Sequence, residues 1–350
     1  MASITDRASS IFGLTNRIWT VVALFTLGIA ILTTIGRGGD ESILSEQTFF
    51  SCPTTSAEEA RAYIPPVLDP DPEISSFDFE KQTAEINGYT EQVIPVTDPQ
   101  LADPEDLVTC LSDSDTMIVI TVEGESRMYP LRLLEKHALV NDTLAGIPVA
   151  VSYCFTCDSV TAFERVYKNE IMDMHTSGII YRNADLLYDL GHRTYWSHLT
   201  GKALAGPLTG ATLDRIEVWR GSFADARDLF PDAQTATFVT GYNLNYTLPA
   251  FLQFDRSNTV LGPVLNVRNE IPPKERIVGF TYNNGSYAVP LDTLVQEGSA
   301  VIKLGGQLFE IDHTAGYPLL KVNGQIQPEI QLYSMYWYVW ADHYPETRLF

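Results

Sequence analysis

The chain has 350 residues, 45% of them hydrophobic, with 23 basic against 44 acidic side chains and a formal net charge of -21. That apolar content can bury a sizeable core, and the length allows one large domain or two small ones. The acidity argues against a nucleic-acid partner and against docking on anionic lipid headgroups, since both need a cationic face.

The first candidate element is the uncharged run Ile18 to Gly36, flanked by Arg17 and Arg37. At about 1.5 Å per residue it just crosses a hydrocarbon core of roughly 30 Å, which predicts a transmembrane anchor. A cleaved signal peptide fits less well, because Thr34-Ile35-Gly36-Arg37 lacks a small-x-small cleavage site. Arg7 and Arg17 precede the run, while Arg37 is answered by Asp40 and Glu41. The positive-inside bias then predicts a short cytoplasmic tail over 1–17 and a main domain outside the cytoplasm. The expectation is a single-pass cell-membrane protein whose one legible partner is the membrane. The sequence specifies no protein or small-molecule partner.

Residues 37–92 are acidic and contain Pro65-Pro66 and Asp69-Pro70-Asp71-Pro72, a composition suited to a linker. A globular domain is expected over 93–350. In an oxidising location Cys52 and Cys110 are candidates for a disulfide, although four cysteines permit three pairings.

Beyond the linker, short β-type runs alternate with turn residues. Strands are predicted at Met117–Val122, Pro148–Tyr153, Val160–Tyr167, Ile179–Arg182 and within Ile302–Ile311. Helices are predicted at Pro130–Leu139, Ala224–Leu229 and Leu291–Gln296. Tyr336, Tyr338 and Trp340 alternate as in a strand covering the core. No βαβ series appears, so the expected class is α+β with strands dominant. A shift of 160 positions aligns Thr121 with Thr281, Ser126 with Ser286, Pro130-Leu131 with Pro290-Leu291, Leu134 with Leu294 and Gly146 with Gly306. This suggests an internal strand-turn-helix-strand repeat.

The chemistry-bearing motif is Cys154-Phe155-Thr156-Cys157, which follows the apolar run Ile147 to Tyr153. Two thiols at this spacing suit reversible disulfide chemistry, a soft-metal grip or a static bridge. No helix is predicted after the pair, so a thioredoxin-like lowering of the thiol pKa is not supported. Asp158 alongside should raise it through like charge. As a metal site the pair needs further ligands; His137, His175, His192, His198 and His313 are available, and thiolate with imidazole suits copper or zinc. His137, shortly before Asn141 and Asp142, is the favoured helper or third ligand. Asn141, Asp142, Tyr181, Asp185, Asp189 and Trp196 are the pocket candidates, each with an alternative role in a turn, strand end or core. A phosphate loop, a His-Glu-x-x-His helix, a Gly-x-Ser-x-Gly elbow and a Cys-x-x-Cys-His haem motif are all missing from the sequence.

An ordered series of motifs surrounds the pair. It runs from Ser126-Arg127-Met128-Tyr129-Pro130-Leu131 through His137-Ala138-Leu139-Val140-Asn141-Asp142 to Pro148-Val149-Ala150-Val151-Ser152-Tyr153-Cys154. It continues with Tyr181-Arg182-Asn183-Ala184-Asp185-Leu186-Leu187-Tyr188-Asp189, Trp196-Ser197 and Pro273-Lys274-Glu275-Arg276-Ile277-Val278-Gly279. From about Val93 onward the chain resembles the bacterial and archaeal family known as domain of unknown function 3179. The resemblance implies an N-terminal signal or anchor and a Tyr-Cys-Pro-Leu-Cys pattern, but no activity. It also implies members with selenocysteine at a cysteine position, which favours the redox reading. Phe155 and Asp158 depart from the family pattern. Together these readings favour a thiol-dependent oxidoreductase, with a copper- or zinc-binding protein and a non-catalytic interaction domain as alternatives.

Overall fold

A computed structural model describes residues 52–61, 83–85, 94–247, 251–261, 263–313, 317–327 and 329–350. All of them lie in one compact unit, Phe50–Phe350.

Two-residue turns shape the strands. Glu123-Gly124, Ala145-Gly146, Arg182-Asn183, Asn283-Asn284 and Gly305-Gly306 all have positive φ at both positions. Paired positive φ matches the right-handed twist of the flanking strands and closes a tight hairpin. The hairpins assemble into five four- or five-stranded sheets in a propeller-like arrangement.

Blade I is built on Thr116–Val122 and Glu125–Pro130. Blade II is built on Leu139–Leu144, Ile147–Cys154 and Ser159–Glu164. Blade III holds Met174–Tyr181, Ala184–Asp189, Thr194–Ser197 and Ala203–Ala205. Blade IV centres on Arg276–Tyr282 and Gly285–Pro290, and blade V on Ser299–Leu304 and Gln307–Asp312.

The 160-residue periodicity is a repeat of structure. Thr116–Val122, Glu125–Pro130, the helix Leu131–His137 and Leu139–Leu144 recur as Arg276–Tyr282, Gly285–Pro290, Leu291–Glu297 and Ser299–Leu304. Each helix ends on a left-handed residue, Ala138 at φ 52° and Gly298 at φ 80°. The correspondence extends further along the chain. Val218–Ser222 runs antiparallel to the first strand of blade I, and Leu332–Tyr336 does the same in blade IV. Gln234–Ala236 and Arg348–Leu349 then add parallel to the second strand of their blades. Blades I and II thus correspond to blades IV and V. The main hairpins of blade III, at 174–205, are inserted between two strands of blade II, Ser159–Glu164 and Arg215–Ile216.

The α+β expectation is corrected. Strands take 44% and helices 14% of the structure, and the helices are short connectors that form no layer of their own. The predicted strand through Tyr336, Tyr338 and Trp340 is corrected too: the strand stops at Tyr336 and a helix follows over Trp337–His343. Burial explains the misreading. Trp337, Tyr338, Val339, Trp340 and Ala341 are all buried, so no single face is polar enough to reveal a helical period.

The expected transmembrane helix, membrane partner and single-pass extracytoplasmic placement are corrected as well. No helix among the described residues is long and apolar enough to cross a membrane. The longest run seven residues, which is about 10 Å against a hydrocarbon core of roughly 30 Å. Residues 18–36, on which the expectation rested, lie outside the described residues.

Within the acidic segment expected to be a linker, residues 52–61 dock on the blades. Cys52 is bonded to Cys110. Gly241 donates its N–H to the Thr55 hydroxyl at 2.8 Å and accepts from the Arg61 N–H at 2.8 Å.

Candidate functional site at the dithiol turn

The ladder between Ile147–Cys154 and Ser159–Glu164 closes with Cys154 opposite Ser159. Residues 155–158 form the turn beyond it, with Asp158 at φ 48°. Cys154 and Cys157 are joined in a disulfide, with Cα atoms 5.5 Å apart, and both are fully buried.

Four blades meet at this turn. Blade II supplies it. From blade III, the Asn183 carbonyl accepts from the Thr156 hydroxyl at 3.0 Å. The Tyr336 N–H at the end of the blade IV strand donates to the Cys157 carbonyl at 2.8 Å, and the Tyr338 hydroxyl donates to the Thr156 carbonyl. Blade I contributes Arg220, which donates to the Asp158 carboxylate at 3.0 Å, and Arg276 of blade IV pairs with the same carboxylate at 2.5 Å. Phe155 stacks on Phe251 with ring centroids 4.0 Å apart.

Two of these contacts revise the electrostatics read from the sequence. Asp158 is buried beside Cys157, but two guanidinium groups neutralise it. Its charge therefore does not act alone on the sulfurs. Thr156 spends its hydroxyl hydrogen on Asn183, so its oxygen, 3.2 Å from Cys154 Sγ, can only accept. After reduction it can take a hydrogen bond from a Cys154 thiol.

The imidazole grouped with the sulfurs is His198, at the end of blade III. Its ligand nitrogen, Cys154 Sγ and Cys157 Sγ lie within 4.8 Å of one another, and all three residues are buried. Nδ1 lies 3.1 Å from Ser152 Oγ and 3.3 Å from Thr161 Oγ1. The Thr161 hydroxyl hydrogen is committed to the His198 carbonyl at 2.8 Å, while the Ser152 hydroxyl can donate to Nδ1 or accept from it, so either tautomer satisfies this contact. Nε2 has no side-chain hydrogen-bond partner among the described residues. Burial, reinforced by the nearby Arg215 charge, lowers the His198 pKa to about 3. The ring is therefore neutral, the form that accepts a proton or a metal.

His137, favoured from sequence, is held elsewhere. Its Nδ1 meets the Ile94 carbonyl at 2.5 Å and its Nε2 the Tyr246 hydroxyl at 2.6 Å, with the ring stacked on Tyr246. Burial lowers its pKa to about 4. Asn141 donates to the Met174 carbonyl, and Asp142 accepts from the Tyr129 hydroxyl and faces Arg127. Asp189 caps a turn and pairs with His192. Trp196 is core, and Tyr181 packs edge-on against His343. Asp185 is closer to the dithiol: its carbonyl accepts the His198 N–H at 3.2 Å, and its carboxyl influences Tyr338. Burial raises the Asp185 pKa to about 7.

His198, Arg220, Arg276 and Tyr338 are the neighbours that sequence reasoning passed over. His198 was one of five candidate imidazoles among the six in the sequence, and its one signal was its place directly after Trp196-Ser197. The arginines offered none, since 62 residues separate Asp158 from Arg220.

Residues 91–327 match the family model described as Protein of unknown function (DUF3179). No curated protein and no solved structure matches the chain. The matched span covers more than half of the chain and contains Cys154, Cys157 and His198, and the chain belongs to this family.

Proposed function

We propose that the protein is a thiol–disulfide redox protein working through Cys154 and Cys157, with His198 as its acid–base partner. The observation that carries the reading is the buried, neutral imidazole of His198 grouped with both sulfurs. Reduction takes two electrons and two protons from a thiol reductant, which leaves as its own disulfide. The first thiolate attacks one sulfur to form a mixed disulfide, and a second thiol releases it. In the disulfide state burial keeps His198 neutral. A thiolate formed beside it supplies an opposite charge, and the ring can then hold the proton. Both sulfurs are buried, so exchange requires a small thiol or an opening of the 155–158 turn.

The same three atoms support a second reading. Two thiolates and an imidazole are a donor set for zinc or copper, with one position left for a further ligand. Metal analysis and thiol titration of the reduced protein separate the two. A metal-free protein with a thiol reacting well below the free-cysteine pKa of roughly 8.5 supports redox. Zinc or copper held one per chain, and lost in both Cys154→Ser and His198→Ala, supports the metal reading. Unreactive thiols, no metal and an unaltered melting curve in Cys154→Ser would remove both and leave a structural role.

A further inference from the structure

Next to the dithiol turn, walled by strands of blades I, II, IV and V, is a cavity of about 390 Å³. That is a volume typical of small-molecule sites, roughly 300–1,000 Å³. Its described wall is mostly aliphatic and includes Ile216, Val218, Leu320 and Ile330. The charged or titratable groups in that wall are Arg215, Glu217, Arg220 and His313. Arg220 is already committed to Asp158. Burial lowers the His313 pKa, so that ring is uncharged at neutral pH. Glu217 is exposed to solvent.

Arg215 is different. Among the described residues its partners are the Gln331 side-chain oxygen at 3.3 Å, the Leu332 carbonyl at 3.2 Å and the Tyr333 ring, with its guanidinium carbon 4.4 Å from the ring centroid. All are uncharged. A guanidinium has five N–H donors and loses much of its hydration in such a site. No carboxylate among the described residues contacts this guanidinium; the exposed Glu217 acts on it only through its charge, so an anion entering the cavity can still pair with it directly. We propose that this cavity binds an amphipathic monocarboxylate, with Arg215 gripping the carboxylate and the aliphatic wall taking an unbranched apolar body. One cation without a direct carboxylate contact calls for one negative charge, and the predominantly aliphatic wall calls for a chain with few other polar groups.

Isothermal titration calorimetry of the full chain with octanoate and with 1-octanol tests this. The expected result is a single octanoate site, with octanol bound at least about 10-fold more weakly, as losing a charge-assisted hydrogen bond implies. Arg215→Gln should bring octanoate down to the affinity of octanol. Ile330→Trp, which fills the cavity and leaves the charge, should weaken both. Absence of octanoate binding, equal affinity for the two probes, or an undiminished preference in Arg215→Gln would overturn the proposal. Should Arg215→Gln fail to fold, the comparison of the two probes on the unaltered chain decides.

Discussion

Tyr336 donates its backbone N–H to the Cys157 carbonyl at 2.8 Å, so blade IV holds the second cysteine of a turn that blade II supplies. Two residues later the Tyr338 hydroxyl donates to the Thr156 carbonyl. The turn is fixed from outside its own hairpin, and its stability depends on the C-terminal helix. Tyr338→Phe removes that donor and leaves a buried carbonyl short of one bond. The expected cost is about 1–2 kcal/mol, readable as a lower urea midpoint at unchanged slope.

Buried titratable groups give the stability a pH dependence of definite sign. His137, His198 and His343 have folded pKa values of about 4, about 3 and about 4 against an ordinary 6.5, burial being the first cause in each. The stabilisation of their neutral forms is complete above pH 6.5 and is lost as pH falls towards 4. Asp185 acts in the opposite sense: its folded pKa of about 7 lies above the ordinary 3.8, so its contribution is complete below 3.8 and lost as pH rises through 7. Three histidines outweigh one aspartate, and the melting temperature should fall on acidification from pH 6.5 to 4. Asp185→Asn removes the opposing group and should steepen that fall by about 1.4 kcal/mol per pH unit. A slope unchanged in Asp185→Asn would show that this carboxyl is not held protonated.

The two disulfides should differ in what they contribute to stability. Cys52–Cys110 closes a separation of 58 residues and Cys154–Cys157 one of 3. Chain-entropy arithmetic gives about 4 kcal/mol for the first and about 2 for the second. Denaturation of Cys52→Ser/Cys110→Ser beside Cys154→Ser/Cys157→Ser should therefore show the first pair as the structural staple. The reverse order would make the closely spaced bridge the main structural one.

Arg220→Ala leaves the buried Asp158 with Arg276 alone. The expected loss is about 3 kcal/mol, the low end for breaking a buried ion pair, because one partner remains. The reactive thiol of the reduced protein should titrate higher as well, since more of the carboxylate charge reaches the sulfurs. Alkylation rates over pH would show the shift, and an unmoved profile would separate Asp158 from the thiol chemistry.

Much of the local structure was legible in the sequence. Thr121 and Ser126 face each other across one hairpin, Thr281 and Ser286 across its repeat, and the helix beginning at Leu131 recurs at Leu291. Turn chemistry is local, so it survives in the sequence. The blades were not legible, because their outer strands come from far along the chain: Val218–Ser222 joins Thr116–Val122. His198 was hidden for the same reason. It lies 41 positions beyond Cys157 and reaches the sulfurs only because blade III is inserted into blade II. Proximity in sequence favoured His137, whose polar partners are instead Ile94 and Tyr246.

The redox reading is tested most directly by reducing the full chain with dithiothreitol in native buffer while following near-ultraviolet circular dichroism, then re-oxidising it and mapping the disulfides. Cys154–Cys157 should open and re-form with the aromatic signal of the folded blades retained. His198→Gln should raise the apparent pKa of the reactive thiol by about one unit, through loss of the imidazole that holds its proton. A bridge that opens only when the native signal collapses, with a thiol titration indifferent to His198, would contradict it.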